Sequence, residues 1–219
     1  MSLFSQDSPL MKGINDIADA MLLNLLFFIC CLPVFTAGAA LSALLSVCRK
    51  DEEETRRITL FARLFKANLR CMLPFWGLML LLAGLLSLSL YFGAVHPELS
   101  PTVLKILACV FLWLCLGMAV VGVLFYVHFE CTLKQLLRNS CRMTVSWPIR
   151  ASLSMLLIYL PLIVLLLDPG TCVILTPIWA LGYFYLTGKL VNWLNRMPLE
   201  ICHQQFDPEK SDGEREEKR

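Results

Sequence analysis

The chain has 219 residues, 58% of them hydrophobic, and a mean hydropathy of +0.68. One soluble core of this size cannot hide so much apolar surface, and continuous leucine runs exclude the alternating pattern of a membrane β-barrel. The formal net charge of +2 says little, because the 16% of charged residues are sorted into separate segments. Together these features predict an all-α, polytopic transmembrane helical bundle.

The first apolar stretch runs from Ala20 to Cys48 without a charge, yet it carries Pro33 and Gly38 with Thr36 between them. As one helix, residues 16–49 would extend about 51 Å at ~1.5 Å per residue, far beyond a hydrocarbon core of about 30 Å. Pro33 disfavours helical geometry at Leu32 and removes a ladder hydrogen bond. Thr36 is placed to cap a new helix, and Gly38 allows close backbone contact. Ala39 opens a run of small residues that suits tight packing in a membrane. The stretch therefore reads as a helical hairpin turning near Leu32 to Thr36. Two crossings give six helices with both ends on one side. A single crossing gives five, with the N-terminus opposite. "TAGAA" has the look of a leader cleavage site, but the residues after it stay apolar, so no cleavage is expected.

The next segment, "RRITLFARLFKANLR", sets Ile58, Phe61, Leu64, Phe65 and Leu69 at helical spacing on one face. Arg57, Arg63, Lys66 and Arg70 fall mainly on the other. It is an amphipathic interfacial helix, suited to anionic lipid or to a cytoplasmic partner. The plainer reading is an elbow on the membrane surface leading into the next span.

Four uncharged stretches follow: Cys71 to Pro97, Ile106 to Phe129, Ala151 to Leu167 and Pro169 to Gly188. Lys and Arg number seven between Arg49 and Arg70, four between His128 and Arg150, and six from Lys189 onward. The connections "GAVHPELSPT" and "DPG" lack them. By the positive-inside rule the basic segments are cytoplasmic and the two short connections lie outside. The C-terminus is then cytoplasmic, and the hairpin puts the N-terminus there too.

The second basic segment, "FECTLKQLLRNSCRMTVSWPIR", spaces Glu130, Lys134, Arg138 and Arg142 by four, which makes one charged helical stripe. Leu133, Leu136, Leu137, Ser140 and Thr144 form its less polar side. Importer permeases present a coupling helix to an ATPase in this kind of place, but their Glu-Ala-Ala and following glycine are missing here. A positive-inside loop with helical propensity is the plainer reading.

No Asp, Glu, Lys or Arg lies near a span's midplane, which disfavours a proton-coupled pump. Asn24, Ser42, Ser154 and the tyrosines of the last span supply modest polarity, read first as helix-to-helix bonding. Ten cysteines form no C-x-x-C pair and read as small packing residues, and three distant histidines show no metal-ligand spacing. No nucleophile and base pair emerges. Residues 1–203 read as the helical domain, and 204–219 as a charged, disordered tail.

The run "SPLMKGINDIADAMLLNLLFFICCLPVFTAGAALSALL" resembles the YesL-like family of small bacterial integral membrane proteins, a domain family of unknown function. Leu23-Asn24, Leu32-Pro33, Thr36, Gly38 and Ala39 carry the likeness, with "LFARLFKANLR" and "VHFECTLKQLLRNS" similar further along. The resemblance implies a multi-span protein of a bacterial plasma membrane. Members of that family often sit beside carbohydrate importer components. The functional expectation is a non-enzymatic accessory or scaffold protein associated with carbohydrate import, without a cofactor. Its expected partners are the lipid bilayer and importer permease or ATPase subunits, with no nucleic acid. The alternative is a small-solute transporter or channel in its own right.

Overall fold

The computed structural model describes residues 9–50, 57–96, 98, 101–129, 132–168, 170–171, 174–175 and 179–200. Among them the fold is helical throughout and has no strand. In chain order the helices are α1 (Pro9–Cys31), α2 (Ala37–Lys50), α3 (Arg57–Val95), α4 (Thr102–His128), α5 (Leu133–Ser146), α6 (Pro148–Leu167) and α7 (Phe184–Leu194). A 3-10 turn, Val34–Thr36, joins α1 to α2, and a π-helical turn, Trp179–Tyr183, leads into α7. Among the described residues three helices are long and apolar enough to cross a membrane: α3, α4 and α6. Shorter apolar stretches occupy Ala18–Cys31 and Val34–Arg49.

The chain reverses between α1 and α2. Pro33 is extended, at φ −78° and ψ 110°, and interrupts the ladder. Both arms then meet one distant residue. The Asn24 side-chain oxygen accepts the Tyr185 N–H at 3.1 Å, and the Cys48 thiol donates to the Tyr185 carbonyl at 3.6 Å. In a straight helix positions 24 and 48 would stand about 36 Å apart.

The small side chains after the turn let α2 sit in the centre of the bundle. Gly38 through Leu45, Val47 and Cys48 are buried. Helix α2 packs chiefly on α3, and also on α4 and α7. Around it lies the core, with Phe61 and Phe75 of α3 and Val120 through Phe125 of α4. Farther along, α3 and α4 pair with each other, and their outward faces stay apolar. Leu81, Leu82, Leu85, Leu88, Val103, Leu104, Leu107 and Phe111 are all exposed, as lipid-facing surfaces are.

The structure departs from the sequence reading along α3 and in the last apolar stretch. The basic segment after residue 56 is no separate elbow. Arg57 through Val95 form one helix of 39 residues that continues through Pro74. The last apolar stretch is not one uninterrupted helix from Pro169 to Gly188. The ladder breaks at Gly182 (φ 157°, ψ 3°), and α7 starts only at Phe184. Gly182 has no Cβ to oppose that conformation. The amide groups freed by the break find a partner in Asn24, as the low-dielectric interior requires.

Candidate functional site

Among the described helices α5 is the most amphipathic. It starts at Thr132, whose N–H and hydroxyl both donate to the Gln135 side-chain oxygen at 3.0 Å. Its inner face, Leu136, Asn139, Ser140, Met143 and Thr144, is buried. Two glycines of α4 allow close contact. A Cβ at Gly122 would collide with the Phe75 ring and lie 2.8 Å from Ser140 Oγ. One at Gly117 would lie 2.8 Å from Thr144 Cγ2. The Ser140 and Thr144 hydroxyls donate back to the Leu136 and Ser140 carbonyls at 2.6 and 2.8 Å, so neither is left bare against α4.

That packing fixes what the outer face displays. Lys134, Arg138 and Arg142 are exposed in a line along the helix. Glu130, the expected start of the stripe, lies outside the described residues, as does the tail from Gln204. Past Ser146 the chain turns at Trp147 into α6. The Arg150 guanidinium lies 5.0 Å from the Trp147 ring centroid and donates to the Leu194 carbonyl at 3.3 Å. The junction is thereby tied to the end of α7.

The second cationic face belongs to α3. Arg63, Lys66 and Arg70 are exposed, while Leu60 and Phe61 are buried. Arg57 does not join them. It is half-buried, 5.8 Å from the centroid of the buried Tyr185 ring, which Lys189 also approaches at 4.9 Å. Ile58 is exposed as well and falls away from the apolar face expected for it. Phe75 of α3 and Ser140 of α5 converge on Gly122, so the two cationic stripes sit on neighbouring helices.

The hairpin residues meet at the opposite end of α2. Thr36 Oγ1 donates to the Cys30 carbonyl at 2.7 Å and to the Pro33 carbonyl at 2.8 Å. These bonds run backward and serve the carbonyls left open where α1 ends, whereas the sequence pointed to a forward cap. A Cβ at Gly38 would lie 2.6–2.8 Å from Trp76 atoms. The Trp76 indole N–H donates to the Val34 carbonyl at 3.1 Å. Ala39 is buried and gives its carbonyl to the Ser42 hydroxyl at 2.8 Å. Asn24 lies apart from this cluster. It holds the helix break, its amide donating to the Trp179 carbonyl at 3.3 Å while its oxygen takes the Tyr185 N–H.

Sequence reasoning missed the partners more than the residues. Asn68 donates to Ser42 Oγ at 2.9 Å, and Asn195 donates to Ser154 Oγ at 2.8 Å. Neither pair has a local spacing that would reveal it. Among the described residues no group of three His, Cys, Asp or Glu side chains stands close enough to hold a metal ion. Beyond α6, the exposed Asp168 carboxylate accepts the Thr171 hydroxyl, the Gly170 N–H at 3.0 Å and the Thr171 N–H at 3.3 Å. The Thr171 hydroxyl first, then the two backbone amides, hold this carboxyl below its usual range.

Residues 20–90 match the family model described as "Protein of unknown function, DUF624". The match runs from Ala20 in α1 to Leu90 in α3 and so includes the turn, all of α2 and the cationic face of α3. No curated protein and no solved structure matches the chain.

Proposed function

We propose that the chain is a non-enzymatic accessory or scaffold protein of the YesL-like kind in a bacterial plasma membrane. In this reading it holds carbohydrate-importer subunits through its cytoplasmic side. The supporting observation is the face of α5. Lys134, Arg138 and Arg142 stand exposed on a helix whose other face is packed against α4, so docking there has little backbone left to order. In this reading the basic segments put this face and the C-terminus in the cytoplasm by the positive-inside rule, and the α1–α2 hairpin brings the N-terminus to the same side. The YesL-like resemblance supplies the association with carbohydrate import.

The test replaces Lys134, Arg138 and Arg142 together with glutamine and measures insertion and co-purification of importer permease and ATPase subunits at low and moderate salt. Exposed ion pairs contribute about 0–1 kcal/mol each, so three together change an affinity by up to roughly a hundredfold. Normal insertion with lost co-purification supports docking. Unchanged recovery at both salts removes this reading. The second reading, a small-solute transporter or channel, draws on the helix break at Gly182, because interrupted helices line solute sites in many transporters. Solute uptake by liposomes holding the purified chain alone would favour it.

A further inference from the structure

The depth of the α1–α2 turn can be read against α3. The turn is fixed beside Trp76, through the indole bond to the Val34 carbonyl and the contact with Gly38. Helix α3 runs on from Trp76 to Val95. That is about 28 Å of helix beyond the turn at ~1.5 Å per residue. Over this length α3 has α4 beside it, the two being linked where the Cys115 thiol donates to the Met79 carbonyl at 3.4 Å. Past Met79 the only α3 residue that is buried is Gly93. The α1–α2 pair therefore does not accompany α3 to its far end.

Length agrees with depth. The uncharged runs on either side of the turn, residues 20–31 and 34–48, are each shorter than the ~20 residues a bilayer span requires. Yet the turn and the end of α1 are apolar and open. Leu25, Ile29, Leu32, Val34 and Phe35 are more than half exposed. Water at that surface would oppose the fold. The exposed leucines of α3, Leu73 and Leu78, flank Trp76 at the same level and carry the apolar surface on toward the α3–α4 pair.

We infer that α1, the turn and α2 form a re-entrant hairpin that enters bilayer hydrocarbon from the side of the basic helices and returns to that side without crossing. Its tip, Leu32 to Phe35, ends against acyl chains in the near half of the bilayer. Lipid is the occupant because the exposed surface is continuous with that of the spanning helices. Both arms leave on one side, as a full hairpin's would, so the proposed sidedness of the N-terminus is unaffected. What changes is that the far half of the membrane contains neither α1 nor α2.

Spin labels at Val34→Cys and Phe35→Cys, in a chain lacking native cysteines and reconstituted in phosphatidylcholine and phosphatidylglycerol vesicles, measure this depth. Collision with oxygen reports hydrocarbon, and collision with a water-soluble nickel chelate reports water. Labels at Leu88 and Glu98 give the two reference environments. The inference predicts oxygen-rich, nickel-poor profiles at 34 and 35, close to that of Leu88. Nickel access comparable to that at Glu98 would overturn it, because a full hairpin exposes its turn to water on the far side. Val34→Asp in the otherwise native chain is the second arm. A tip in hydrocarbon predicts a large loss of folded yield, and an unchanged yield would also overturn the inference.

Discussion

Gly38→Ala is the sharpest perturbation of the bundle. The added methyl would lie 2.6 Å from Trp76 Cγ, 2.7 Å from Cδ2 and 2.8 Å from Cβ. All three atoms are at the root of the side chain, so no flexible end can swing aside. Trp76 is buried and tethered by its bond to Val34. Overpacking of this kind costs about 1–3 kcal/mol. Turning the ring away would also break the indole hydrogen bond, worth about 0.5–1.5 kcal/mol. The combined destabilisation is roughly 2–4 kcal/mol. It should appear as a lower unfolding midpoint on titration with a denaturing detergent and as less monodisperse protein. Gly84→Ala is the matched control. A Cβ there meets nothing within 4 Å, and alanine favours helix over glycine by up to about 1 kcal/mol. If Gly38→Ala unfolds at the wild-type midpoint, the close packing of α2 on α3 is wrong.

Other perturbations follow from the same geometry. Asn24→Leu removes the hydrogen bonds to the Trp179 carbonyl and from the Tyr185 N–H and should cost about 0.5–1.5 kcal/mol per bond, read as faster hydrogen exchange around Tyr185. A cysteine at Ser5 in a background lacking native cysteines should stay shielded from an impermeant thiol reagent in intact cells, while one at Glu98 labels readily; strong labelling at Ser5 would put the N-terminus outside. Asp168 carries a depressed folded pKa, so its contribution is present above the unfolded carboxylate value of about 3.9 and is lost as pH falls through the lower folded value. Protection of the Gly170 and Thr171 amides, corrected for intrinsic exchange, should drop over that acidic range in the native chain and show no such step in Asp168→Asn.

Local chemistry announced the break between α1 and α2. Pro33 cannot continue a ladder, and Thr36 beside it supplies a hydroxyl for open carbonyls. The depth of the turn was not legible, because it depends on Trp76, forty residues onward in an unremarkable apolar run. The small residues after Gly38 read as a membrane arm packed closely on its neighbours. Only the partners on α3, α4 and α7 decide that α2 is enclosed. Gly182 was hidden for a similar reason. One glycine inside "WALGYFYL" gives no sign of a break, since the compensating amide comes from Asn24, more than 150 residues earlier. The continuity of α3 went the other way. The change from basic to apolar composition looked like an elbow, but no residue there stops a helix, and Pro74 is accommodated within it. The α5 stripe was visible as a spacing of four. Its rigid seating on Gly117 and Gly122 depends on tertiary contact.

The proposed docking role of α5 is tested most directly by a photo-activated crosslinking residue in place of Arg138, irradiated in intact cells. The account predicts a covalent product containing an importer permease or ATPase subunit, weakened when Lys134 and Arg142 are replaced by glutamine. Products containing lipid alone, with the chain correctly inserted, would contradict it.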